Sequence, residues 1–213
     1  MQGLYPIIDA DSLRALKLPV LDFARRVLEV RPRLIQLRAK HATARETLEL
    51  LRALRELCRA RGVELYANDR PDLALLAECE GVHVGQDDLP VSDVRRVAPG
   101  LKVGVSTHDA RQLEQALAAS PDYVAFGPVF STNSKAQPAP LVGLDGLRDA
   151  AKTAKAAGVP LIAIGGIDFE RAPSIAELGV GAAVIGALLP GDGDLERVAE
   201  LARALGAALD GSA

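Results

Sequence analysis

Short runs rich in β-branched and aliphatic residues recur eight times along the chain, and each is followed by a longer stretch with helical spacing of its apolar residues. Strands are expected at 4–8, 34–38, 65–68, 82–85, 103–106, 123–126, 161–164 and 183–185. Helices fit between them near 19–30, 43–61, 71–79, 91–97, 110–119, 144–157, 169–178 and 195–209. Repeated strand–helix units argue for a parallel sheet covered by helices. Eight units in 213 residues match an α/β fold of the (β/α)8 TIM barrel type, a single domain over 1–213, better than an open doubly wound sheet with fewer strands. Thr43-Ala44-Arg45-Glu46 has the pattern of a capping box, and Gly62, Gly158 and Gly179 stand where helices should stop before the next strand.

Composition narrows the function classes. Half of the residues are hydrophobic, enough for one well-buried core, and a net charge of -3 gives no general reason to expect nucleic acid or an anionic membrane as partner. No stretch offers the roughly 20 apolar residues of a membrane span, and the N-terminus lacks a basic segment followed by an apolar run, so a cytoplasmic protein is expected. Cys58 and Cys79 lie in helical patterns without metal or CxxC spacing and read as reduced thiols. Nothing in the sequence decides between a monomer and a homo-oligomer.

In a barrel of this type chemistry gathers at the carboxyl ends of the strands. Those ends carry Asp9; Arg38 and Lys40; Asn68, Asp69 and Arg70; Gln86, Asp87 and Asp88; Ser106, Thr107 and His108; the long loop 127–142; Gly165-Gly166; and Gly186-Ala187. The opposite ends begin with unremarkable residues. Alternation along Gln36-Leu37-Arg38-Ala39-Lys40 points Gln36, Arg38 and Lys40 inward, where long polar groups are costly unless an anion meets them. A forked guanidinium beside an ammonium suits pyrophosphate oxygens, while the plainer reading is a salt bridge from Arg38 to Asp69 or Asp9.

Asp69 and Asp88 end successive strands, where two carboxylates are enough for Mg²⁺ completed by water and substrate phosphate. Asp87 and Asp88 also read as a capping turn before Leu89-Pro90. Asp109 reads as a helix cap, His83 as a satisfied interior histidine, His41 as solvated, and His108 as a proton carrier or a hydrogen-bonding rim residue. Thr132, Ser134 and Lys135 lie in the longest non-helical segment, which reads either as a phosphate-wrapping loop or as a plain surface loop. Glycines after the seventh and eighth strands suit a phosphate cradle, although tight turns also explain them.

Seven motifs in order resemble the thiamine phosphate synthase family. They are Leu4-Tyr5 with Asp9; Gln36-Leu37-Arg38-Ala39-Lys40; Asn68-Asp69-Arg70; Gly81-Val82-His83-Val84-Gly85-Gln86-Asp87-Asp88; Gly104-Val105-Ser106-Thr107-His108; Gly127-Pro128-Val129-Phe130; and Ala163-Ile164-Gly165-Gly166-Ile167. The resemblance implies transfer of hydroxymethylpyrimidine from its diphosphate to thiazole phosphate, with Mg²⁺ as cofactor and phosphorylated small molecules as partners. It selects Asp69 and Asp88 as metal ligands. By the same pattern Gln36, Arg38, Lys40, Asn68 and Lys135 contact the pyrimidine diphosphate, and Ser106 lies near the reacting group, so that Arg38, Ser106 and Lys135 form the catalytic set. Thr132 and Ser134 reach phosphate oxygens, and Gly165, Gly166, Ile185 and Gly186 take the thiazole phosphate. Ser134 replaces the family's usual threonine and Gly186 its usual serine. Competing expectations are a related thiazole tautomerase using His108, and a barrel that binds phosphorylated ligands without turnover.

Overall fold

The computed structural model describes residues 2–132 and 139–211. Its eight strands pair in chain order and close into a parallel barrel: β1 (Gly3–Asp9), β2 (Leu34–Arg38), β3 (Glu64–Asn68), β4 (Gly81–Val84), β5 (Lys102–Thr107), β6 (Tyr123–Phe126), β7 (Leu161–Ile164) and β8 (Gly181–Val184). Closure comes from β1, which sets Ile7 opposite Gln36 on β2 and Leu4 opposite Ala182 on β8. Around the barrel run α1 (Ala10–Ala15), α2 (Val20–Val27), α3 (Ala44–Arg59), α4 (Pro71–Leu76), α5 (Val91–Val97), α6 (Ala110–Ala118), α7 (Gly143–Ala156), α8 (Ala172–Ala176) and α9 (Glu196–Leu209).

Local chemistry sets the helix boundaries. Both halves of the capping box form at α3, where the Thr43 hydroxyl accepts from the Glu46 N–H and the Glu46 carboxylate accepts from the Thr43 N–H. Gly62, Gly158 and Gly179 adopt φ of +69°, +70° and +67°, the left-handed stops expected of them. Several helical expectations need correction, among them the one over 71–79, which stops at Leu76. α1 is absent from the sequence reading; it starts because one oxygen of the Asp9 carboxylate accepts from the Ser12 N–H at 2.8 Å. The predicted helix over 19–30 ends at Val27 and finishes as a 3₁₀ turn, Leu28–Val30. The one over 169–178 shrinks to α8, because Pro173 belongs to a first turn and Arg171 is tied back to Asp168.

The core has two layers. Outside the barrel, strand residues such as Ile8, Ile35 and Leu37 pack with Phe23, Leu51 and Leu54 of the helices. Inside it, Tyr5, Ile7, Leu34, Tyr66, Tyr123, Ala125, Ile162 and Ala183 fill the interior. Two strand glycines make room for the rings: a Cβ on Gly104 would lie 2.0 Å from Tyr123 Cζ, and one on Gly81 would lie 2.3 Å from Tyr66 Cε1. Tyr123 stands edge-on to Tyr5 and Tyr66, with centroids 5.9 and 5.8 Å apart, and stacks on His83 at 5.5 Å.

The amino-terminal rim is less plain than the sequence suggests. Lys102 pairs with Glu64 at 2.6 Å, and the carboxylates of Glu80 and Asp122 accept from the N–H groups of Leu65 and Val103 at 2.8 Å. These bonds satisfy strand beginnings, a structural role in keeping with that face of the fold.

Gly104→Ala is expected to destabilise the protein by about 3 kcal/mol, because overpacking has nowhere to relax against a fully buried ring. Gly100→Ala, where a Cβ would meet nothing within 4 Å, should change little. Urea midpoints at unchanged slope measure the difference.

Candidate active site

The carboxyl ends of the strands surround a cavity of about 680 Å³. Gln36, Arg38, Lys40, Asn68, Asp69, Asp88, Ser106, Thr132, Gly165, Gly166, Ile185 and Gly186 all line it. The site residues expected from the sequence therefore share one space, except Ser134 and Lys135, which lie outside the described residues.

β2 supplies the cations, and its neighbours hold them. Gln36 is buried at the barrel's inner wall, and Arg38 ends the strand with its guanidinium on the nearly buried Asp9 carboxylate. Of the two plain partners open to Arg38, Asp9 is the one found. Lys40 does not continue the strand's alternation as expected, since β2 stops at Arg38; it sits in the following turn. Its N–H is held by Asp11 at 2.9 Å and its ammonium reaches Asp69. The turn thus brings Lys40 to the rim by a different route.

Asp69 follows β3 in the left-handed region, with φ of +63°, and its N–H donates to the His83 carbonyl at 2.7 Å. Aspartate tolerates this conformation better than most residues, and such strain concentrates at functional sites. Burial pushes the Asp69 carboxyl above its ordinary range; Lys40 draws it back down, and a hydrogen bond with the Asp88 carboxyl raises it again. The two carboxyls are therefore neighbours. Asp88 Oδ2 also accepts from the Gly85 N–H at 2.7 Å, closing its own turn. It is not the cap of α5, whose N-cap position is Pro90. Among the described residues no three His, Cys, Asp or Glu side chains gather as a metal site. What the rim offers is a two-carboxylate corner.

The wall opposite is built by β5 to β8. Ser106 is half-buried and bonded to His83 Nε2 at 2.8 Å, so His83 is a satisfied interior histidine, as expected. Asp109 caps α6 through the Gln112 N–H, and the Gln112 side chain in turn accepts from the N–H of His108 and lies 2.9 Å from its Nδ1. His108 reaches the cavity with one ring nitrogen already engaged. His41 is exposed, resting 3.2 Å from Asp11.

The paired glycines have a packing role that the sequence left open. A Cβ on Gly165 would lie 2.6 Å from the Pro128 backbone, and one on Gly166 would lie 2.3 Å from the Ser131 carbonyl. The loop after β6 lies directly on them, with Val129 N–H bonded to the Ile164 carbonyl and Phe130 N–H to that of Gly165. Gly186 differs: a Cβ there would meet nothing within 4 Å.

Arg171, hidden in the sequence by its position in a predicted helix, also lines the cavity. Its guanidinium donates to the Gly166 carbonyl at 2.7 Å, lies 3.3 Å from Asp168 and rests 5.0 Å above the Phe130 ring. The only usable signal was Pro173 two residues later, which places Arg171 before the helix. Cys58 and Cys79 are buried away from the cavity, and burial pushes both thiols up to about 12, which excludes them as nucleophiles at neutral pH.

A family profile described as thiamine monophosphate synthase matches residues 4–188. A thiamine-phosphate synthase from Koribacter versatilis is 44% identical over 195 residues, covering 87% of this chain and 88% of its own length. One from Chloroflexus aurantiacus is 41% identical over 172 residues, 80% of this chain and 78% of its own. The solved thiamine phosphate pyrophosphorylase of Pyrococcus furiosus superposes with a TM-score of 0.83 at 31% identity, over 98% of this chain and 97% of that one.

Replacing Arg38 by methionine leaves the buried Asp9 carboxylate without its counter-charge. The expected loss is about 3 kcal/mol of stability, the usual result of removing one partner from a buried pair, read from the shift in the denaturation midpoint at neutral pH. Native protein at pH 8 should also leave both thiols unreacted with a chromogenic disulfide on the time scale in which the urea-unfolded chain reacts at both.

Proposed function

The chain belongs to the thiamine monophosphate synthase family, and from that footing we propose how its rim carries out the reaction. The protein is a transferase that makes thiamine phosphate. In the proposed reaction the bond between the pyrimidine methylene and its diphosphate breaks, its electron pair leaving with the diphosphate. The thiazole nitrogen then gives its lone pair to the methylene carbon to form the new C–N bond. The electron-rich pyrimidine stabilises the intervening cation, so the protein's work is to neutralise the leaving group and hold the two substrates in line.

The observation that carries this reading is the corner where Asp69 and Asp88 meet beside Lys40 and Arg38. Two adjoining carboxyls, with the Lys40 ammonium on Asp69, form a donor set suited to Mg²⁺, which takes few protein ligands and completes its shell with water and phosphate oxygens. When bound there the ion would supply charge neutralisation for the departing pyrophosphate. Arg38, oriented by Asp9, presents a fork to phosphate oxygens; Lys40 has three donors, of which Asp69 takes one. Gln36 and Asn68 orient the pyrimidine diphosphate and Ser106 lies near the reacting group. Thr132, Ser134 and Lys135 complete the phosphate contacts from the loop after β6. Gly165, Gly166, Ile185 and Gly186 take the thiazole phosphate at the ends of β7 and β8. A cytoplasmic setting with reduced thiols belongs to the same proposal.

Mixing both substrates with Mg²⁺ and the folded protein is expected to yield thiamine phosphate and pyrophosphate; no product would overturn the reading. Asp88→Asn should lower kcat roughly 100-fold, the scale of a few kcal/mol of lost charge stabilisation. Pyrophosphate with Mg²⁺ should raise the melting temperature of the parent protein and not of this variant. If His108→Ala abolished turnover while Asp88→Asn did not, a tautomerase would take the synthase's place. Ligand-induced melting shifts without any product would point to a binding barrel.

A further inference from the structure

A run of hydrogen bonds crosses the barrel interior beneath the cavity and joins two residues of the proposed site. Gln36 Nε2 donates to the Tyr5 hydroxyl at 2.7 Å, and the Tyr5 and Tyr123 hydroxyls are 2.8 Å apart. Tyr123 Oη lies 2.8 Å from His83 Nδ1, and His83 Nε2 lies 2.8 Å from Ser106 Oγ. Gln36, Tyr5, Tyr123 and His83 are all buried.

The directions of these bonds follow from counting protons. Burial pushes both phenols well above their ordinary range, so each keeps its proton at neutral pH. Each buried hydroxyl must place that proton on an acceptor or lose a hydrogen bond. Among the described residues neither phenol has a hydrogen-bond partner beyond those named. With the Gln36 amide nitrogen facing it, the Tyr5 oxygen accepts from Gln36 and the Tyr5 proton goes to Tyr123. The Tyr123 proton must then go to His83 Nδ1. With Nδ1 an acceptor, the neutral ring carries its hydrogen on Nε2, which donates to Ser106 Oγ. The reverse order would require the Gln36 amide turned to present its oxygen to Tyr5.

We propose that Tyr5 and Tyr123 are positioning residues that carry the polarity of the Gln36 amide to His83, fixing its Nε2–H tautomer and leaving the Ser106 proton to point into the cavity. This is opposite to a serine–histidine nucleophile pair, in which the ring accepts the serine proton. Ser106 is thereby a hydrogen-bond donor, matched to an acceptor atom on the substrate. That last step rests on the function proposed above; the tautomer does not.

The test uses the full chain labelled with ¹⁵N-histidine, without substrate, near pH 8. Two-bond proton–nitrogen correlations show which ring nitrogen is protonated, and the His83 signals are those lost in His83→Gln. The expected result is a single Nε2–H tautomer; an Nδ1–H ring in the parent protein would overturn the proposal whatever the variants do. Gln36→Glu supplies an ionised acceptor for the Tyr5 proton, so every bond of the run should reverse and His83 should become the Nδ1–H tautomer. Adding Tyr5→Phe to that variant should restore Nε2–H. An unchanged tautomer in Gln36→Glu, or a switch that survives loss of the Tyr5 hydroxyl, would overturn the relay. Tyr123→Phe is expected to lower kcat about tenfold, the value of one well-placed hydrogen bond, and an unchanged kcat would overturn its positioning role. Absence of product from the parent protein overturns the synthase reading alone, since the tautomer is read without turnover.

Discussion

Space inside the barrel is the constraint on which the rest depends. Eight strands enclose an interior just wide enough for side chains, and two of its three tyrosines, Tyr66 and Tyr123, enter it only because β4 and β5 carry no Cβ at Gly81 and Gly104. Tyr5 and Tyr66 pack edge-on to Tyr123, which stacks on His83, forming a floor. Above that floor lies the cavity; below it the strand beginnings are closed by Glu64, Lys102 and Asp122. A wider residue at either glycine would remove the floor before it touched the chemistry.

The upper rim follows an electrostatic rule of its own. Its cations come from β2 and the turn after it, and the carboxylates that hold them come from the strands on either side: Asp9 from the end of β1, Asp69 from just beyond β3. Asp11 fixes the turn itself. Arg38 and Lys40 are therefore aimed before any ligand arrives, which reduces the ordering cost of binding an anion. The exception to mutual satisfaction is the contact of Asp69 with Asp88, two acidic groups brought together by a left-handed residue on one side and a self-closing turn on the other.

Much of this was legible in the sequence because the signals were local. Strand periodicity, the Thr43–Glu46 box and the left-handed glycines each act within a few residues, and they marked all eight strands and the helix stops around α3, α7 and α8. The short α1 escaped because Asp9 reads equally as a rim carboxylate and as a cap, and it does both. The pairing of Arg38 with Asp9 rather than Asp69 depended on the register that sets the two opposite each other across β1 and β2. The tyrosine run was beyond reach for a different reason. Tyr5, Tyr123 and His83 are 118 and 40 residues apart along their bonded pairs, and only the barrel's register decides which interior side chains meet. Arg171 was missed because its contacts, with Gly166 and Phe130, belong to a loop packed on another loop.

The glycines of β7 and β8 differ in how much change they tolerate. Gly165 and Gly166 are clamped under residues 128–131, so the two loops form one rigid piece and neither can drift in sequence alone. Gly186 faces open space with an ordinary backbone angle. A descendant of this chain could lengthen the side chain there one atom at a time, narrowing the end of the cavity near β8 without disturbing a single contact of the barrel. The selectivity of this pocket is thus separable from its stability at one position, and a lineage could explore new second substrates there while its fold stayed still.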